Sequence, residues 1–276
     1  MIFYKTVSAG NDFLHIDVKE LNTENIDSRV FREHLARHLC QRKTGVGADG
    51  VVYYAIGVSE KYLDFEIFNQ DGSEAELSGN GMAGLSALLF YLNKFKDQVT
   101  LNTRVGQKTH QLIQRKKNNF KLKIEIGEPD FYNTVFFPFL TKKKIEYTYK
   151  TIRFYPVSLG NPHAVVLLDR KLPDERLNKM GELLESANIF PQKTNVELVV
   201  FKNEENCQPF YFERGVGRTL SSSTGSAAVF AVLQKLKFIQ SQLLVDTPEG
   251  KIKIYGKRSV YIENFTKIVY KGIYLS

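Results

Sequence analysis

Two polar segments of this chain place a serine and small residues just before an almost wholly apolar stretch. The first reads SGNGMAGLSALLFYL from Ser78 and the second reads SSTGSAAVFAVLQKL from Ser222. A helix start has N–H groups without intrahelical partners and a partial positive charge, so it favours a carboxylate or a phosphate. The pair therefore predicts two helix N-termini that hold one anionic ligand from opposite sides. Capping that serves stability alone is the alternative that the spacing leaves open.

The two segments belong to a longer repeat. Phe68 and Phe212, like Ser78 and Ser222, are separated by 144 residues. Upstream, FYKTVSAGN from residue 3 resembles FYPVSLGN from residue 154 at a similar spacing. Coincidence among common residues is the alternative, but recurrence in the same order at a long, nearly fixed distance is typical of a duplicated domain.

The elements around these segments predict an α+β fold of two pseudo-symmetric domains, each with strands wrapped around one apolar central helix. We assign residues 1–130 to the first domain and 131–264 to the second, with the last strand, about 265–276, able to return to the first. The two central helices are expected to begin after SGNG and after SSTG. Two amphipathic helices are expected as well, one capped by Asp27 or Ser28 with an apolar side of Val30, Phe31, Leu35 and Leu39, and one started by Pro173 with Leu177, Met180, Leu183 and Leu184. Strands are predicted at residues 2–7, 13–18, 63–68, 120–126, 163–168, 197–201, 210–212 and 260–273.

Composition narrows the classes of function. The 276 residues are 43% hydrophobic and 25% charged, which is typical of a globular protein. No apolar run is long enough for a membrane helix, the N-terminus does not read as a signal peptide, and two cysteines provide neither a disulfide framework nor a metal site, so we expect a cytoplasmic protein with no membrane partner.

The net charge of +8 comes with basic runs at 115–123 and 142–150 but no nucleic-acid motif, so these runs are interpreted as solvated faces that could steer an anionic small molecule. GVGADG from Gly45 is interpreted as a loop that leads into a strand, not as a dinucleotide-binding fingerprint.

Six segments in order resemble the diaminopimelate epimerase family, the cofactor-independent amino-acid epimerases of lysine and peptidoglycan synthesis. They are AGNDF, TGVGADG, FNQDGSEAELSGNG, SLGNPHAVV, TNVE and ERGVGRTLSSSTGSAA. The resemblance spans nearly the whole chain and implies a ligand cleft between two domains, with inversion at the α-carbon of diaminopimelate or a related amino acid. It also implies a zwitterionic amino-acid ligand, no metal, no pyridoxal phosphate or other cofactor, and it is consistent with a homodimer.

The resemblance also implies which residues form the site. It places Ser78 and Ser222 at the positions of two cysteines that act as opposed bases, and His163 at a family active-site histidine. The implied ligand-contacting residues are the side chains of Asn11, Asn69, Asn161, Asn195, Glu213 and Arg214 and the backbone of Gly79, Asn80, Ser223 and Thr224. Without the resemblance, an asparagine in a turn is a turn former and a lone histidine is a packing residue, which is our interpretation of His15, His34, His38 and His110.

The serines predict a severely impaired reaction. A helix N-terminus can convert a thiol, with its ordinary pKa of about 8.5, to a thiolate, whereas a serine hydroxyl is a poor base unless an adjacent group takes its proton. Met82 and Arg218 also depart from the family pattern, which favours natural divergence over an engineered pair of cysteine-to-serine changes. Three functions therefore remain open: an epimerase with impaired chemistry, a non-catalytic amino-acid-binding homologue, and a lyase or isomerase that uses His163 as a single base.

Overall fold

The computed structural model describes residues 1–21, 29–56, 63–141, 144–201, 206–248 and 250–275. The chain divides into two compact units, one formed by Met1–Ile124 with Glu263–Ser276 and the other by Glu125–Ile262. These bounds lie a few residues from the division drawn from the sequence. Within the described ranges, no helix combines the length and the hydropathy that a membrane span requires.

The described residues of the first unit form mostly strands, with two α-helices and a short 3-10 helix. Its elements are β1 (Ile2–Ser8), β2 (Asn11–Asp17), a short 3-10 helix (Val18–Glu20), α1 (Arg29–Leu39), β3 (Gly50–Ile56), β4 (Leu63–Asn69), β5 (Glu74–Ala75), α2 (Gly79–Tyr91), β6 (Gln98–Thr103), β7 (Gly106–Lys116) and most of β8 (Asn119–Gly127).

The second unit repeats this plan. Its elements are β9 (Tyr147–Tyr149), β10 (Ile152–Ser158), β11 (Pro162–Leu168), α3 (Asp174–Glu185), β12 (Asn195–Phe201), β13 (Asn206–Glu213), β14 (Gly217–Thr219), α4 (Ser223–Lys235), β15 (Gln242–Thr247) and β16 (Gly250–Tyr255). Most of the last strand, β17 (Val260–Ile273), belongs to the first unit, where it pairs with β1.

The strands of the two units pair in the same succession. In the first unit, β1–β2 is antiparallel, β2–β3 parallel, β3–β4 antiparallel, β4–β6 parallel and β6–β7 antiparallel. In the second unit, β10–β11 is antiparallel, β11–β12 parallel, β12–β13 antiparallel, β13–β15 parallel and β15–β16 antiparallel. This shared order of pairings is the topology expected of a duplicated unit, and the predicted α+β fold is confirmed.

Each unit is built around one buried helix. Every residue of α2 from Gly79 to Phe90 is buried, as is every residue of α4 from Ser223 to Leu233. Helix α2 packs on β1, β2, β3 and β7, and α4 packs on β10 to β13, β15 and β16. Because both helices are apolar on nearly all faces, only a position surrounded by strands removes their side chains from water.

The outer helices cover the opposite side of each sheet with one apolar stripe. Leu177 and Leu184 of α3 are buried in a core with Phe154 and Phe190, and Met180 and Leu183 pack against it, as predicted. In α1, only Ala36 and Leu39 are fully buried. Phe31 and Leu35 pack partly against the core, but Val30 is 62% exposed, so the predicted apolar side was wrong at that residue. The predicted cap at Asp27 or Ser28 lies outside the described residues.

The structure also corrects the predicted start of the central helices. They begin at Gly79 and Ser223, so SGNG and SSTG supply the N-cap and the first helical turn instead of preceding the helix. The reason is that a serine side chain can accept the N–H of the third helical residue, which allows the small residues after it to be helical. By contrast, the predicted strands are present, and GVGADG is a loop that leads into β3.

Candidate active site

Ser78 and Ser222 cap α2 and α4 with nearly the same geometry. Ser78 has φ −138° and ψ 111°, and Ser222 has φ −141° and ψ 123°. Each Oγ accepts a hydrogen bond of 3.2 Å, from the N–H of Gly81 in one case and of Gly225 in the other. A hydroxyl group has two acceptor sites and one donor, so accepting at the cap leaves the O–H proton able to donate.

The glycine at the third helical position has close neighbours in both units. A Cβ atom at Gly225 would lie 2.6 Å from Oε1 of Glu197 and 3.1 Å from Cβ of Ser222. At Gly81, the nearest atoms would be Cδ1 of Ile67 and Cε1 of Phe13, each at 3.3 Å. Both helix starts therefore lie against strand side chains, and the α4 start lies against a carboxylate.

In the first unit, the structure brings Asn11 and Asn80 together at the start of α2. Nδ2 of Asn80 donates to Oδ1 of Asn11 at 2.5 Å, and both residues are buried. The tight turn of Ala9 and Gly10, both with positive φ, places Asn11 at the first position of β2. Asn69 ends β4, and its Nδ2 donates to Oγ of Ser73 at 3.0 Å.

In the second unit, a chain of polar contacts leads from Ser222 to Glu197. Oγ of Ser222 lies 3.5 Å from Oγ1 of Thr224, which accepts from Nδ2 of Asn161 at 3.4 Å. Oδ1 of Asn161 lies 2.9 Å from Nε2 of His163, and Nδ1 of His163 lies 2.8 Å from Oε1 of Glu197. His163 and Glu197 are almost completely buried, so both ring nitrogens of the histidine are engaged away from solvent.

Glu213, at the end of β13, is half-buried and has its carboxyl group next to Ser222. Burial raises the pKa of Glu213 to about 7 and the charge of Glu197 contributes to the rise, while the nearby side chains of Thr219 and Ser222 and the charge of His163 oppose it. A carboxyl group with a pKa near 7 exchanges protons readily at neutral pH, which suits a general acid or base. The serine of the second unit therefore has a titratable neighbour.

Asn195 and Arg214 connect the start of β12 to the turn after β13. Nδ2 of Asn195 donates to the carbonyl oxygen of Pro162 at 2.8 Å, and its Oδ1 accepts from the backbone N–H of Arg214 at 3.0 Å. The Arg214 side chain donates to the carbonyl oxygen of Gln192 at 3.2 Å. These contacts support the loops at the site, and the roles of both residues toward a ligand stay predictions.

Sequence reasoning missed the charged side chains behind these asparagines. Asp49 accepts from Asn11, and Asp12 and Arg42 surround Asp49. The segment TNVE contains Glu197, but the sequence did not indicate that this carboxylate is the partner of His163. The available signal was a carboxylate one or two residues from the start of a buried strand, as in ADGVV and TNVEL.

Arg218 and Met82 are both accommodated by their local surroundings. Arg218 forms a salt bridge of 2.8 Å with Asp174 in the first turn of α3 and lies over the ring of Phe210, where its side chain is half-exposed. Met82 is completely buried within α2. Arg218 thus has a surface ion pair, and Met82 is a core residue.

The two cysteines lie in the interior with their thiols protonated. Cys40 and Cys207 are buried, and burial raises the pKa of each thiol to about 12, so both are protonated at neutral pH. In the described part of the chain, no group of three or more His, Cys, Asp or Glu side chains is arranged to hold a metal ion.

Comparison with known proteins identifies the family. The family model described as "Diaminopimelate epimerase" matches residues 3–132 and 155–268. The chain belongs to the diaminopimelate epimerase family. It is 33% identical to the diaminopimelate epimerase of Carboxydothermus hydrogenoformans over 99% of both chains, and 30% identical to that of Prochlorococcus marinus over 91% of this chain and 90% of the other. A solved structure of a predicted epimerase from Pseudomonas aeruginosa matches with a TM-score of 0.67 over 100% of this chain and 99% of the other, at 14% identity, so the two proteins share a fold.

Proposed function

We propose that this diaminopimelate epimerase homologue binds LL-diaminopimelate or a related amino acid and acts at its α-carbon without pyridoxal phosphate. In this proposal, the helix starts of α2 and α4 receive the ligand's carboxylate, and Ser78 and Ser222 occupy the positions of the family's two bases. The observation that supports it is the matched capping of α2 and α4 in a chain that belongs to this family.

The proposal includes a severe loss of the family reaction. Each serine oxygen already accepts the cap hydrogen bond, and an alkoxide forms far less readily than a thiolate because each pKa unit corresponds to about 1.4 kcal/mol. The two cysteines are buried and protonated at neutral pH, so they do not supply an alternative base.

Calorimetry and solvent deuterium exchange test this function. Titration with LL- and meso-diaminopimelate measures binding, and incubation in D₂O measures labelling and inversion at the α-carbon. We expect binding with little or no inversion in the natural chain, and inversion in the Ser78→Cys/Ser222→Cys double variant. Ser186→Cys, at an exposed position after α3, is the control for adding a thiol elsewhere. If neither isomer gave heat of binding, the proposed ligand would be rejected. If the double variant bound the ligand but gave no inversion, residues besides the serines would block the reaction.

A second candidate is a one-base lyase or isomerase, and a difference between the two units favours it. Residue 69 in the first unit is an asparagine, which does not titrate, whereas the residue 144 positions later is Glu213, whose pKa is raised to about 7 by burial. Both ring nitrogens of His163 are engaged by Glu197 and Asn161, so Glu213 is the better-placed proton acceptor.

The products distinguish this candidate from epimerisation. A single base would exchange the α-proton with retention of configuration. From a related amino acid with a leaving group on the β-carbon, it would instead expel that group and give an α,β-unsaturated product, and either rate would rise with pH through about 7. Glu213→Gln should abolish that rate while Asn69→Asp leaves it present. If the exchange persisted in Glu213→Gln, Glu213 would not be the base, and His163 would be the next candidate.

A further inference from the structure

Asp49 lies behind the α2 helix start because of the strand register. The parallel pairing of Phe13 with Gly50 places Asp12 and Asp49 side by side, and the backbone N–H of Asp49 donates to the carbonyl oxygen of Asp12 at 2.9 Å. Gly50 holds this register because a Cβ atom there would lie 2.7 Å from the carbonyl oxygen of Phe68. The position of the Asp49 carboxylate is therefore set by the sheet.

Two cations lie against the adjacent carboxylates. Arg42 donates to both oxygens of Asp12, at 3.1 and 2.8 Å, and to Oδ1 of Asp49 at 2.7 Å. Lys5 lies 2.8 Å from Asp12 and donates to the carbonyl oxygen of Gly47. Arg42 contacts only Oδ1 of Asp49, and the other oxygen, Oδ2, accepts from the backbone N–H of Asp12 at 3.1 Å.

The same oxygen determines the orientation of Asn11. A carboxylate only accepts hydrogen bonds, so Asn11 must turn Nδ2 toward Asp49, at 3.1 Å. Its Oδ1 then faces α2 and accepts from Nδ2 of Asn80. Reversing the Asn11 amide would place an oxygen against a carboxylate and two amide nitrogens against each other.

The second unit orients its matching asparagine in the opposite sense. Asn161 turns Nδ2 toward Thr224 of α4 and Oδ1 toward His163. The start of α2 thus receives an amide oxygen, whereas the start of α4 receives an amide N–H. The anionic partner Asp49 accounts for the orientation in the first unit.

We propose that Asp49 is a positioning residue that sets the amide orientation of Asn11 and thereby the polarity that the α2 helix start offers to an amino-acid ligand. This inference rests on the proposed function, because the ligand it concerns is the one proposed above. Asp49 acts through Asn11 and Asn80.

Three variants separate positioning from stability. Asp49→Ala removes the acceptor, so the Kd for diaminopimelate should rise roughly tenfold, the equivalent of one hydrogen bond to a charged group. Asp49→Asn keeps an oxygen that can accept from Asn11, so its Kd should stay within about threefold of the natural chain. Arg42→Ala removes the ion pairs but leaves the bond between Asp49 and Asn11, so it should lower the Tm with a Kd also within about threefold. An unchanged Kd in Asp49→Ala, in a chain that binds, would overturn the proposal.

A measurement without ligand keeps this test separate from that of the proposed function. The side-chain NH₂ signals of Asn11 are assigned by NMR from their loss in Asn11→Asp. Their exchange with solvent should accelerate at least about tenfold in Asp49→Ala and little in Arg42→Ala, since only the first change removes their acceptor. Equal exchange in both variants would overturn the positioning role. Absence of binding by the natural chain would instead reject the proposed function, and the exchange rates would then decide the orientation of Asn11 by themselves.

Discussion

Two buried histidines beside α2 should make the first unit sensitive to acid. His15 and His110 are completely buried, with Nε2 of His15 2.8 Å from Oγ1 of Thr6 and Nδ1 of His110 2.8 Å from Oγ of Ser86 on α2. The second nitrogen of each ring has no hydrogen-bond partner within the described residues. Protonation would therefore place an unpaired charge in the core.

The size of the effect follows from the pKa values. Burial lowers the pKa of each histidine from 6.5 to about 3, and Lys108 contributes to the shift at His110. The unfolded chain therefore binds protons that the folded chain rejects, so stability is complete above pH 6.5 and falls as the pH decreases toward 3. At pH 5, each histidine should reduce the free energy of unfolding by about 2 kcal/mol relative to pH 7.5.

Urea unfolding at pH 7.5 and pH 5 measures this loss. His110→Asn keeps an amide able to contact Ser86 but cannot titrate, so it should be less stable than the natural chain at pH 7.5, and the difference should narrow by about 2 kcal/mol at pH 5. His15→Gln, which mimics the Nε2 contact with Thr6, should behave alike. His34→Gln is the control, because His34 is exposed on α1.

A difference in the free energy of unfolding that does not change with pH would refute this prediction. If His110→Asn and His15→Gln each differ from the natural chain by the same free energy at both pH values, the buried rings are not the source of acid sensitivity. If the difference in the free energy of unfolding between His34→Gln and the natural chain narrowed by a similar amount, loss of any histidine, buried or exposed, would account for the effect.

Three further predictions concern the helix starts and the surface. Ser78→Ala and Ser222→Ala should each lower the free energy of unfolding by about 0.5–2 kcal/mol in urea titrations, because each removes an N-cap acceptor, and a neutral result at either would show that its cap is not stabilising. Gly225→Ala should cost about 1–3 kcal/mol in the same assay, since its Cβ would lie 2.6 Å from the buried carboxylate of Glu197, and an unchanged midpoint would show that this carboxylate can move. Arg218→Ala should cost less than about 1 kcal/mol, because its ion pair is half-exposed, and the loss should disappear in high salt.

Local sequence was sufficient to predict an element where a single segment shows by itself that its residues are buried. The all-apolar stretches after Ser78 and Ser222 predicted central helices, and β-branched alternation predicted strands such as β4 and β12. Strand β7 was missed because most of its second half is exposed, so its alternation is weak, whereas β16 was missed although Ile252 and Ile254 alternate with lysines. Val30 was placed on the wrong side because helical spacing alone does not show how wide the covered face is.

By itself, the sequence determined the α+β class, the repeat and the position of both serines at helix starts, since these depend on residues close together in the chain or on a constant spacing. Only the tertiary structure decided that Asp49 lies beside Asp12, that Glu197 contacts His163, and that Glu213 lies next to Ser222. Those contacts join residues from different segments of the chain, which are brought together by strand register and by the packing of a whole unit. The chemistry available to each serine therefore depends on pairings that no local pattern encodes.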